Sequence, residues 1–179
     1  MKQRTYKRLK NFSTSISIEK TISEIEKMLS AFGASKIMKE YDEFGIPFRL
    51  SFIMHTQKGE IPVKLPTNVQ KIKEVFKFQV SEGYLPKKFW ETEWSNEQAG
   101  RVAWRIIKDW LDAQLTLLGI EMVRIEELFL PYIYNAKLGK TMFELIEQNG
   151  FNIEQLGYAP NNDTKTYKPA KLVDGDEKA

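Results

Sequence analysis

Residues 95–118, SNEQAGRVAWRIIKDWLDAQLTLL, spell a long amphipathic helix. Apolar side chains recur at Val102, Ala103, Ile106, Ile107, Trp110, Leu111, Ala113, Leu117 and Leu118. Gln98, Arg101, Arg105, Lys108, Asp109, Asp112 and Thr116 hold the other side at helical spacing. Ser95 as N-cap, with Gln98 three residues on, makes a capping box. Gly119 follows as a residue able to take positive φ and close the helix. So broad an apolar stripe is stable only against another layer, so the helix implies a folded core.

That layer lies upstream. Phe48, Leu50, Phe52 and Met54 alternate with Arg49, Ser51, Ile53 and His55, the period of a strand with one buried face. Gln57-Lys58-Gly59 turns the chain into residues 60–65, where Ile61, Val63 and Leu65 share a face. Pro62 lacks an amide donor and marks that strand as an edge. Residues 37–41 supply a further strand, joined to the first by Asp42-Glu43-Phe44-Gly45. A helix over 19–32 places Ile22, Ile25, Met28, Leu29 and Phe32 on one face and ends at Gly33. Before it, Ser15 and Ser17 alternate with Ile16 and Ile18, which reads as a short strand over 13–18. The expected fold is α+β: a β-α-β-β-β antiparallel sheet with a helix on one face, over 13–66, then a helical part over 67–157.

The helical part opens at Thr67-Asn68 with a helix over 69–80, turning Val69, Ile72, Val75, Phe76 and Val80 inward. A loop rich in aromatics and lysine, 83–94, leads into the long helix. A shorter helix near 122–130 stops at Pro131. Thr141 and Glu144 form a capping box for a small last helix before Gly150. From Tyr158 to the last residue apolar side chains thin out, and a flexible tail is expected over 158–179. Residues 1–12 form a basic flexible arm.

Composition limits the chemistry. The 179 residues are 42% hydrophobic and 28% charged, with net charge +3, the profile of one globular domain. No apolar run is long enough to span a bilayer, and the basic start is not followed by the h-region of a signal peptide. The absence of cysteine excludes disulfides and thiolate metal sites and fits the cytosol. One histidine, His55, leaves little scope for histidine catalysis or zinc.

Charge is unevenly spread. Lys2, Arg4, Lys7, Arg8 and Lys10 precede any acidic residue. Lys58, Lys64, Lys71, Lys73, Lys77, Lys87 and Lys88 outnumber Glu60, Glu74 and Glu82. The arm reads either as a solvated terminus or as a segment that seeks phosphates and releases their counterions. Tyr84, Lys87, Lys88, Phe89, Trp90 and Trp94 interleave cations with aromatics, the combination that holds single-stranded nucleic acid. The same aromatics could instead fold back over the long helix.

Other motifs carry less. Gly139-Lys140-Thr141 ends like a phosphate-binding loop, but Tyr134 stands where that pattern needs glycine. A turn and a helix cap explain it better. His55 ends a strand with no sequence-adjacent carboxylate to orient it, so a solvent-facing side chain is expected. Asp109 with Asp112, and Glu126 with Glu127, could bind magnesium, yet Arg105 and Lys108 beside the first pair make helix-surface ion pairs the simpler reading.

The segment 97–115, with Glu127-Leu128-Phe129-Leu130-Pro131-Tyr132, Gly139-Lys140-Thr141 and Gly150-Phe151, resembles small uncharacterised proteins of bacterial phages, prophages and mobile elements. Glu40-Tyr41-Asp42 and Lys64-Leu65-Pro66-Thr67-Asn68-Val69 fit the same pattern, so the resemblance spans most of 13–151. It implies a context, the cytoplasm of a bacterial host, and no mechanism.

The expectation is a non-enzymatic accessory protein without cofactor, catalytic or metal residues, binding nucleic acid alone or in a nucleoprotein complex. The expected contacts are Lys2, Arg4, Lys7, Arg8, Lys10, Tyr84, Lys87, Lys88, Phe89, Trp90, Arg101, Arg105 and Lys108. The alternative is an inhibitor or anti-defence factor that occupies a host protein complex.

Overall fold

The computed structural model describes residues 7–43, 45–90 and 92–151. Lys2, Arg4 and the tail at 158–179 lie outside them. The chain divides into a compact unit through Leu145 and a second from Ile146.

The first unit is α+β. Helix α1 (Ile18–Ala31) precedes strands β1 (Ala34–Tyr41), β2 (Pro47–Thr56) and β3 (Gly59–Lys64), then helix α2 (Val69–Ser81), a 3-10 turn (Lys87–Phe89) and the long helix α3 (Glu93–Gly119). Helix α4 (Ile125–Phe129) and a hairpin of β4 (Tyr134–Asn135) and β5 (Lys140–Thr141) follow, and helix α5 (Met142–Gln148) crosses the boundary between the units. The sheet is antiparallel, in the order β1-β2-β3, so Pro62 sits on an edge strand as its missing amide requires. No helix among the described residues is long and apolar enough to cross a membrane.

The strand expected over 13–18 does not form. Ser17 is the N-cap of α1, its hydroxyl accepting from the Lys20 amide at 3.2 Å, and Ile18 is already helical and buried. The preceding carbonyls of Phe12 and Thr14 each accept from the Gln98 side-chain amide at 2.9 Å. A buried side chain thus satisfies backbone that a strand partner would otherwise have to satisfy.

The start of α3 also departs from expectation. Thr92 is the N-cap, and Ser95 is the third residue of the capping box; the Ser95 hydroxyl lies 3.2 Å from the Thr92 amide and the Ser95 amide donates to the Thr92 hydroxyl at 3.0 Å. Gln98 is not part of the cap. Gly119 is still helical, and the positive φ beyond the helix falls on Glu121 at 58°.

Two apolar clusters share α3. Trp104, Ile107, Leu111 and Leu115 pack with Ile22, Ile25 and Leu29 of α1 and with Leu50, Phe52 and Met54 of β2. Ala99 and Val102 pack instead with Phe76, Leu85 and Phe89, with Ile106 at the margin. The helix is apolar in two directions because it has a layer on each side. At Gly100 α1 comes so close that an added Cβ would lie 2.7 Å from Ile18 Cδ1.

Leu50, Phe52 and Met54 share the buried face of β2, as expected. Phe48 does not join them fully. Tyr41 faces Pro47 and Glu40 faces Arg49, so Phe48 is an extra residue in the ladder. Pro47 is buried and the Arg49 guanidinium lies 5.1 Å from the centre of the Phe48 ring.

Candidate nucleic-acid interface

The N-terminal segment is held from Arg8 onward. Leu9 and Phe12 pack against the second apolar cluster, and the Arg8 Nε donates to the Tyr84 carbonyl at 3.2 Å. Lys10 and Asn11 both reach Oδ2 of Asp109, at 2.8 and 2.9 Å. Of the expected flexible arm over 1–12, residues 8–12 are therefore docked on the fold. Burial pushes the Asp109 carboxyl up, but the hydrogen bonds from Lys10 and Asn11, with the charges of Lys10 and Arg105, hold it below its ordinary value.

The loop of 83–94 is arranged by the same cluster. Phe89 is only 4% exposed and meets Phe76 and Trp94 edge to face at 5.2 and 4.9 Å. It is core, and its ring is not open to a nucleobase, which corrects its place among the expected contacts. Trp90 and Tyr84 are half-buried, and Trp94 is 37% exposed. Lys77 Nζ lies 4.9 Å from the Trp90 ring centre, and Lys88 Nζ lies 5.0 Å from that of Trp94. Both separations are within cation–π range. Arg8 adds a third such pairing, over Phe12 at 5.4 Å.

Arg101, Arg105 and Lys108 do not extend this positive surface. Arg101 pairs with Glu97, Arg105 with Glu24 of α1 at 2.6 Å and Lys108 with Asp112 at 2.9 Å. Each cation is mostly covered, with about one fifth of its side chain exposed, and each charge is balanced by a neighbour. Expected as free donors to phosphate, they are ties within α3 or between α3 and α1.

Cations without a salt bridge are spread over the described residues, Lys20, Lys27, Lys58, Lys64, Lys137 and Lys140 among them, and several lie on α2 and the loop that follows it. Among the described residues no carboxylate pairs with Lys7, Lys73, Lys77, Lys87 or Lys88. Lys73 and Lys77 are one turn apart on α2, so the structure adds two lysines that the expected contacts omit. The signal for them was their i, i+4 spacing within the basic stretch. Between α2, the 3-10 turn and the start of α3 is a cleft of about 130 Å³, lined by Gln70, Lys73, Phe76, Phe89, Trp90, Ser95 and Asn96.

His55 has more company than its sequence neighbours suggest. Its Nε2 lies 2.9 Å from the Ser35 hydroxyl and its Nδ1 3.5 Å from Oε1 of Glu60, which register places directly opposite. Lys36 reaches the same carboxylate at 3.4 Å. The row is open to water, where such pairs are weak. Gly139 (φ 67°) turns β4 into β5, and the Thr141 hydroxyl caps α5 while Glu144 accepts from the Thr141 amide at 2.6 Å. The chain matches no protein-family model, no curated protein and no solved structure.

Proposed function

We propose that the chain is a non-enzymatic accessory protein of a phage or mobile element that binds nucleic acid, alone or within a nucleoprotein complex, in the cytoplasm of a bacterial host. The observation that carries this reading is the placement of Lys77 against the Trp90 ring and of Lys88 against the Trp94 ring, with Lys73 lining the same cleft as Trp90 and none of the three paired with a carboxylate among the described residues. Ammonium groups beside aromatic faces supply both halves of what a nucleic acid strand offers, phosphates and stackable bases. The docked Arg8 brings the N-terminal segment to Tyr84, so the two expected parts of the surface are adjacent.

The rival, an inhibitor of a host protein complex, is supported by a different patch. Ile120 and Met122, just past α3, are 60% and 69% exposed, and large apolar side chains held in solvent anchor protein interfaces. Salt separates the two readings. Retention of the full chain on a mixed-sequence oligonucleotide should fall steeply between about 50 and 200 mM salt. The double variant Lys77→Gln, Lys88→Gln should flatten that slope by about 0.7–0.9 for each phosphate no longer neutralised. No retention at low salt would overturn the nucleic-acid reading in favour of the protein partner.

A further inference from the structure

We infer that the chain pairs with a second copy of itself through the free edge of β1, forming one continuous antiparallel sheet across a two-fold axis at Met38. The pairing needs no nucleic acid and goes beyond the function proposed above.

The two edges of the sheet differ. β3 carries Pro62, which has no amide to donate, and Val63 bridges to Ile133, so that edge is blunted and partly covered. β1 has β2 on one side only. It contains no proline, and no backbone hydrogen bond among the described residues engages its other side. Such an edge is a template for another strand. Met38 and Tyr41 stand on it 55% and 53% exposed. Lys39, a residue type that guards edges, is drawn toward α1 by Glu26 at 2.9 Å.

The order of charges selects the occupant. Lys36, Met38 and Glu40 line one groove on the open face of the sheet. With the axis at Met38, Met38 meets its own counterpart and Lys36 of each copy falls opposite Glu40 of the other, twice by symmetry. An axis at Lys39 or Glu40 sets like charges face to face, and an axis at Ile37 leaves Lys36 and Glu40 unmatched. Within its own chain Lys36 reaches Glu60 at 3.4 Å and Glu40 accepts from Arg49 at 2.9 Å. An ammonium has three donors and a carboxylate about four acceptor sites, so each can take the second contact. The ladder to β2 is irregular between Ser35 and Met38, where Lys36 takes φ 51°. A bulge bends the strand and ends the new ladder after a few residues, and two-fold symmetry closes the pair.

Sedimentation of the full chain between about 1 and 100 μM should show a dimer that dissociates on dilution. Lys36→Glu and Glu40→Lys each set like charges opposite one another twice, and each should weaken the pair by roughly ten- to a hundredfold. Mixing the two variants restores both opposite-charge contacts, so the mixture should dimerise as the parent does; an unfolded variant could not. The chain has no cysteine, so Met38→Cys introduces a single thiol. It should cross-link across the axis on mild oxidation, because opposed Cα atoms stand about 4.5–5.5 Å apart. Met122→Cys, at a position 69% exposed, should not. A monomer throughout that range, a dimer indifferent to both charge variants or not restored by mixing, or faster cross-linking through Met122→Cys would each overturn the β1 contact.

Discussion

The indole Nε1 of Trp104 donates to the carbonyl oxygen of Pro47 at 2.8 Å, inside the core. Trp104 is fully buried, and this bond ties the middle of α3 to the first residue of β2. Trp104→Phe keeps much of the apolar surface but removes the donor. It should destabilise the fold by about 1–3 kcal/mol, the cost of a buried acceptor left unpaired. Chemical denaturation would measure it, and a loss near zero would show that Pro47 finds another donor.

Phe52 and Phe129 meet edge to face at 5.5 Å, joining the sheet to α4. Phe52→Ala should cost roughly 3–5 kcal/mol, as for a large aromatic removed from a packed core. Because the two rings pack on each other, a Phe52→Ala, Phe129→Ala double variant should lose less than the sum of the two singles.

Acid should release the N-terminal segment. The folded pKa of Asp109 lies below its unfolded value, so its contribution is complete above the ordinary carboxylate pKa of about 3.9 and is lost as pH falls through the folded pKa. Asp109→Asn should remove that part of the acid sensitivity. It should also expose the backbone of residues 7–12 to hydrogen exchange at neutral pH; unchanged protection there would refute the role of Lys10 and Asn11 as a tether.

The Arg105–Glu24 pair links α3 to α1 with both side chains largely covered. Arg105→Glu should destabilise by about 1–3 kcal/mol, more than an exposed pair is worth and less than breaking a fully buried one. The swap Arg105→Glu, Glu24→Arg should recover most of it.

Phe89 and Trp90 are sequence neighbours that should separate in experiment. Phe89→Ala removes a core ring and should lower stability by roughly 3–5 kcal/mol. Trp90→Ala should instead weaken oligonucleotide binding by about 1–3 kcal/mol with little change in its salt slope. Equal loss of stability in both variants with no binding defect would make Trp90 part of the cover as well.

Much of this fold is written locally. The period of two over residues 50–54, the 3.6 period of α1, α2 and α3, the Asn68 cap and the Thr141–Glu144 capping box need only near neighbours, and all are present, whereas Phe48 leaves the alternation at the irregularity opposite Tyr41. Only tertiary structure decided the fates of Gln98, Trp104, Phe89 and the cations of α3. Gln98 sits on the polar side by sequence, yet it is buried because Phe12 and Thr14 present carbonyls that need a donor. Trp104 is absent from the apolar stripe read along 95–118, yet it is buried three residues before Ile107 in the cluster that α3 shares with α1 and β2. Arg105 is a helix-surface charge until Glu24, 81 residues away, comes within 2.6 Å. Periodicity reports which side of an element is apolar; which charges are neutralised, and which rings remain open to a ligand, depends on partners distant in sequence that are brought close only when the core assembles.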